Sequence, residues 1–143
     1  MKDMAIDGFQ SLCSNKAKKI VSRDKGETRK HVAQNTNSFY VAHYRVDGCL
    51  ITTGNRCDFL LLNEDKKKAY LIELKGHDLH HAAVQIEKTQ QMLSKELSEY
   101  SKEYRIVASK CRTQAIESSD FKRYRIRWGK SLKYKTNSLE EVI

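Results

Sequence analysis

The chain has no proline and only six glycines in 143 residues. Few stiff turns and few flexible spacers argue against long linkers and a second domain, so one domain over residues 1–143 is expected. No apolar run approaches the roughly 18 residues that span a bilayer. The first residues, MKDMAIDGFQSL, lack the unbroken apolar stretch of a secretory leader. The expectation is a cytoplasmic protein with no membrane partner. Four cysteines, at 13, 49, 57 and 111, form no CxxC pair, which speaks against a structural zinc site and a disulfide framework and for buried free thiols. A glycine-rich phosphate loop, a dinucleotide fingerprint, a GxSxG elbow and internal repeats are also missing.

What is present is positive charge. Twenty-seven lysines and arginines against 18 acids give a net charge of +9. That excess predicts an acidic partner, nucleic acid first among them. Along the chain, Ala5, Phe9, Leu12, Ala17 and Ile20 recur at helical spacing and predict a first helix over residues 3–22. Residues 22–34 are polar and fit either a short helix or a loop. Phe39 to Val46 reads as a strand, Asp47-Gly48 as a two-residue hairpin turn, and Cys49 to Thr53 as the returning strand. Strands follow at about 57–62 and 69–75. Leu79, Ala82, Ala83, Ile86, Leu93 and Leu97 predict a helix from Asp78, its N-cap. Arg105 to Ser109 is a short buried strand, 112–118 a possible short helix, and 123–128 a period-two strand. The order α-β-β-β-β-α-β-(α)-β predicts a mixed α/β (α+β) fold, a central mixed sheet flanked by helices.

The segment CDFLLLNEDKKKAYLIELKG, residues 57–76, carries the chemistry. Two apolar runs flank a polar turn, and each ends in an acid where an apolar strand disfavours one. A hairpin centred on that turn pairs position i with about 131 − i, which sets Asp58 opposite Glu73. Alternation puts Glu73 and Lys75 on one face and Leu74 on the other. Two carboxylates that close repel unless a cation lies between them, and oxygen ligands suit Mg²⁺. Asp58, Glu73 and the Leu74 carbonyl would hold the ion, and Lys75 would serve the attacking water or the developing phosphoryl charge. A surface hairpin whose acids pair with Lys75 or Arg56 is the plain alternative.

Asp58, then Glu73-Leu74-Lys75, then a helix with Gln85 in ELKGHDLHHAAVQIEKT, resembles the PD-(D/E)xK nuclease superfamily. The resemblance covers roughly residues 3–110, including the α-β-β-β-α-β order. Cys57 stands where the family often has proline. The resemblance implies a restriction-endonuclease-like core, Mg²⁺ (or Mn²⁺) as cofactor, and phosphodiester hydrolysis by Asp58, Glu73, Lys75 and Gln85. It names Glu27 as a candidate extra metal ligand. It also implies DNA as substrate, with RNA left open, and a homodimer for cutting two strands. Length and charge are similar to small archaeal-type Holliday-junction resolvases and compact phage or mobile-element nucleases. The rival is a non-catalytic nucleic-acid-binding or protein-interaction module that keeps the fold.

Two further features bear on binding. Residues 122–135, KRYRIRWGKSLKYK, would set Arg123, Arg125 and Arg127 on one strand face, with Lys130 and Lys133 extending the row, to meet phosphates or simply to protect a solvated edge. Arg29 and Lys30, in a second basic cluster that begins at Lys16, could form another wall. His77 and His81, with His80 beside them, either flank the helix start or approach a phosphate; no third ligand stands at metalloenzyme spacing.

Overall fold

The computed structural model describes residues 5–54 and 56–143, with Lys75 described by its backbone alone. The elements in chain order are β1 (Lys19–Ser22), β2 (Lys30–Gln34), β3 (Val41–Arg45), β4 (Phe59–Asn63), β5 (Lys68–Lys75), α1 (Leu79–Met92), β6 (Ser101–Ala108), α2 (Thr113–Ile116), α3 (Ser119–Trp128), β7 (Leu132–Thr136) and β8 (Ser138–Val142), with one 3₁₀ turn over Gly129–Ser131. The fold is mixed α+β with two mixed sheets. One sheet runs β3-β4-β5-β6-β7, the other β1-β2-β8.

The apolar runs of β4 and β5 need cover on both faces, and both are covered. Leu60, Leu62, Ala69 and Leu71 face Leu79, Ala82, Ala83 and Ile86 of α1. Phe59, Leu61, Tyr70, Ile72 and Leu74 face Ile20, Ala33 and Leu139 of the small sheet. Each fully buried leucine or isoleucine here contributes roughly 1.5–3 kcal/mol, so the hairpin is firmly held from both faces. Its turn is closed by Asn63, whose Oδ1 accepts the Lys66 N–H at 3.1 Å; Lys67 supplies the left-handed residue, φ 53°. The strands pair Phe59 with Ile72 and Asn63 with Lys68, which is the register the polar turn predicts.

Gly76 to Asp78 turn the chain from β5 into α1. Asp78 Oδ1 accepts the His81 N–H at 2.9 Å, the predicted N-cap. The helix returns the chain to β6, which runs parallel to β5 from Lys68–Ser101 to Lys75–Ala108.

Three expectations are corrected. Residues 5–18 contain no helix. Their apolar residues are spent singly, because this segment bonds along the outer edge of β3: Leu12 N–H to the His43 carbonyl and Val41 N–H to the Asn15 carbonyl, each at 2.7 Å. An edge strand's unpaired groups outbid the segment's helical period. The αβββαβ order therefore lacks its first helix. Asp47-Gly48 makes a tight loop, with Ile51 N–H on the Val46 carbonyl at 3.0 Å, but Cys49 to Thr53 forms no returning strand. Finally, 123–128 lies in a helix, α3, not a strand. Phe121, Tyr124 and Trp128 make a helical stripe: Phe121 is fully buried and Tyr124 nearly so, while Ile126 is 81% exposed. Ser118 caps this helix through the Phe121 N–H at 3.3 Å.

Candidate active site

Asp58 stands where the β4–β5 hairpin opens. Its N–H donates to the Ile72 carbonyl at 3.0 Å and its carbonyl accepts the Val46 N–H at 2.9 Å, so β5 and the residue just past β3 both grip its backbone. Its Oδ2 accepts the Leu74 N–H at 2.8 Å. A side chain thus ends the ladder on this side of β5, where a strand residue would otherwise continue it. Burial raises the Asp58 pKa to about 6; the Leu74 N–H and Arg45 pull it down, and Asp24 and Asp47 push it up. Burial disfavours the carboxylate and two further acids add to that, against a single amide and one guanidinium.

Glu73 is 3% exposed. It falls in the alternation with Ala69 and Leu71, on the sheet face that α1 covers, while Leu74 faces the small sheet. Both acids act on the same neighbour. Burial raises the pKa of the Cys57 thiol, and the charges of Glu73 and Asp58 raise it further. Lys75 continues β5 opposite Ala108; its side chain lies outside the described residues.

Gln85 reaches the same end from α1. Its Nε2 donates to the Arg56 carbonyl at 3.1 Å, and its Oε1 is buried without a hydrogen-bond partner. One turn on, Thr89 Oγ1 accepts the Cys57 N–H at 2.7 Å and donates to the Gln85 carbonyl at 2.9 Å. These bonds fix residues 56–57 against the helix and so fix the approach to Asp58. On the far side, the Gly76 carbonyl accepts the Ser109 N–H and Oγ, each at 2.6 Å, and the Lys110 N–H at 3.1 Å. The carboxyl ends of parallel β5 and β6 are thereby locked together, and in open α/β sheets ligands favour that edge.

Glu27 lies exposed in the β1–β2 connection and pairs with Arg29 at 3.2 Å. The acid from this connection whose charge reaches Asp58 is Asp24, which pairs with Arg45 at 2.9 Å. Asp24 was not singled out in the sequence, because an acid in a polar loop without period carries no positional signal. Among the described residues, no group of three or more His, Cys, Asp or Glu stands together as a metal cage. The protein donors at the hairpin end are therefore two carboxylates. Among the described residues, one oxygen of Asp58 is taken up by a protein hydrogen bond. Mg²⁺ accepts one or two carboxylates and keeps several waters, so this donor set fits it.

The basic residues do not form the predicted row. On α3, Arg123 and Arg127 are four apart and share a face. Arg125 turns away to the Ile116 carbonyl at 3.2 Å and Glu117 at 3.3 Å. Arg127 pairs with Glu87 at 3.0 Å, and Lys133 of β7 with Glu141 at 3.5 Å. Lys130 is exposed in the 3₁₀ turn, and Lys30 opens β2, half-buried. Alternate arginines diverge on a helix where they would align on a strand. His80 and Tyr124, with ring centroids 6.0 Å apart, join Asp120, Arg123 and Arg127 around a cleft of about 280 Å³ between α1 and α3. No helix among the described residues is long and apolar enough to cross a membrane. No protein family, curated protein or solved structure matches this chain.

Proposed function

We propose that the chain is a divalent-metal-dependent nuclease, most simply a DNA endonuclease, built on a restriction-endonuclease-like core. The observation that carries this reading is the hairpin register, which brings Asp58 and buried Glu73 to one end of β4 and β5. The β3-β4-β5 meander, the α1 crossover and parallel β6 accord with the proposed core.

Asp58 and Glu73 would hold Mg²⁺ or Mn²⁺, with the Leu74 carbonyl as a further candidate ligand. The bound ion supplies Lewis acidity toward a phosphoryl oxygen. The residues do the rest. Glu73 is fixed by burial under α1. Asp58 is oriented by the Leu74 N–H, which leaves its second oxygen for a ligand. Gln85 has a buried amide oxygen left over to accept a hydrogen bond from a water at the site. Lys75, two residues beyond Glu73, would orient or deprotonate the attacking water and offset charge on the phosphorane. Arg123, with no carboxylate partner among the described residues, would contact backbone phosphate. A homodimer would present two such sites to a duplex.

A second reading has its own support. Asp58 and Gln85 both make structural hydrogen bonds, as they would in a binding module that keeps the fold without cleaving. Incubation with supercoiled plasmid, circular single strands and RNA, in Mg²⁺ or Mn²⁺ with an EDTA control, separates the two. Metal-dependent nicking lost in Glu73→Gln and Lys75→Ala supports the nuclease. Tight binding without cleavage in either metal supports the module. Light scattering at twice the 16.6 kDa chain mass would support the dimer.

A further inference from the structure

Phe39 and Tyr40 lie at the opposite end of the large sheet from Asp58, beside the β4–β5 turn. A loop held by fully buried Asn35 presents them. Asn35 Nδ2 donates to the Ala17 and Phe39 carbonyls, both at 2.9 Å, and its Oδ1 accepts the Phe39 N–H at 3.0 Å. The Tyr40 N–H donates to Asp65 Oδ2 and the Glu64 N–H to the Tyr40 carbonyl, both at 2.8 Å. Loop and turn thus form one braced corner, so the rings are positioned before any ligand arrives.

Both rings are partly exposed, and each carries an ammonium. Lys16 Nζ is 4.7 Å from the Tyr40 centroid and Lys66 Nζ 5.2 Å from that of Phe39. Lys18 Nζ bonds Ser38 Oγ between them. The nearby acids already have partners: Glu64 accepts from the Tyr100 hydroxyl at 2.5 Å and pairs with Lys67 at 3.4 Å, and Asp65 accepts the Tyr40 amide within the corner. Among the described residues no carboxylate pairs with Lys16, Lys18 or Lys66. The corner therefore combines braced aromatic rings with three lysines that form no ion pair among the described residues.

We propose that this corner binds single-stranded nucleic acid, stacking bases on Phe39 and Tyr40 and pairing backbone phosphates with Lys16, Lys18 and Lys66. A base replaces an ammonium on the ring, and the displaced ammonium moves to the adjoining phosphate; stacking on an aromatic ring outweighs an exposed cation–π contact. Paired bases inside a duplex offer no free face, so the corner discriminates against duplex. An acidic protein segment would satisfy the lysines but would leave the rings without a role. Six steps along the chain from Asp58 to Glu64, at about 3.3 Å each, put the corner roughly 20 Å from Asp58. A strand held here and acted on there must span several nucleotides. The proposal rests on the nucleic-acid part of the reading above and not on hydrolysis.

The test is fluorescence anisotropy of the full chain in EDTA. The probes are a labelled thymidine oligonucleotide of about 12 residues, a blunt duplex of equal length and a glutamate-rich peptide. The single strand should bind more tightly than either. Phe39→Leu and Tyr40→Leu should each weaken it about tenfold, Phe39→Trp should bind at least as well as wild type, and Lys66→Ala should lower the salt slope by about 0.7. Leucine variants within twofold of wild type, weaker binding by the tryptophan variant, equal affinity for the duplex, or peptide binding as tight as the oligonucleotide's would each overturn the proposal. Single-strand binding of this kind without any cleavage would uphold the corner while ending the hydrolase reading.

Discussion

Two half-buried acids in this protein meet opposite fates. Glu141 of β8 is partly shielded from water, and that desolvation pushes its carboxyl up. Hydrogen bonds from His31 at 2.7 Å and Arg105 at 2.6 Å, with the Arg105 charge, more than reverse this and hold it at about 2. Arg105, 2% exposed, is itself completed by Glu103 at 3.2 Å and by the Tyr104 and Ser131 carbonyls. Asp58 has one amide and a more distant arginine, and its pKa is raised to about 6. A charge surrounded by its own donors is complete within the protein. A carboxylate left under-compensated at a rigid strand end is stabilised by something added, and a divalent cation is the natural addition.

The comparison can be broken first at the completed end. Glu141→Leu leaves the Arg105 guanidinium buried without its main partner and should cost about 3–5 kcal/mol in urea unfolding at pH 7. A loss below 1 kcal/mol would mean that this cluster does not hold the small sheet to the large one.

At the other end the sign reverses. The folded pKa of Asp58 lies above its ordinary value of 3.8, so the native state binds the extra proton and loses stability as pH rises from about 4 through 6. Asp58→Asn removes the charge and keeps an acceptor for the Leu74 N–H. Without metal it should gain about 1–3 kcal/mol at pH 7.5 and nothing below pH 4. Mg²⁺ should raise the Tm of wild type and not of this variant. Destabilisation by Asp58→Asn in EDTA would make the aspartate a structural group like Glu141.

The smallest effect separates the arginines of α3. Arg123→Ala should reduce the salt slope of nucleic-acid binding by about one. Arg125→Ala should change it less, since Glu117 already faces that guanidinium. Equal slopes for both variants would show that helix geometry does not sort them.

The same contrast explains what the sequence made legible. The hairpin could be read because its information is local: two apolar runs, one polar turn and a two-residue period determine which acid meets which. The Asp78 cap and the apolar stripe of α1 are equally local. Tyr124, Ile126 and Trp128 deceived because six residues of alternation fit a strand, while the decisive members of the helical stripe, Phe121 and the Ser118 cap, lay just outside that window. The small sheet was invisible for another reason. β2 pairs locally with β1, but its other neighbour, β8, comes from the far end of the chain, as when Gln34 Nε2 donates at 2.7 Å to Glu140, 106 positions away. At the candidate site, Asp58, Glu73 and Gln85 could be named from spacing and resemblance. Asp24 required the loop's path in space.

That distant pairing has a kinetic consequence. The β3-β4-β5 meander and α1 join neighbours in the chain and can assemble early, whereas the pairing of β2 with β8 meets the entropy of closing a very long loop. Amide protons of β2 and β8 should exchange with solvent before those of β4 and β5, because the three-stranded layer can peel away while the acid-bearing hairpin stays folded.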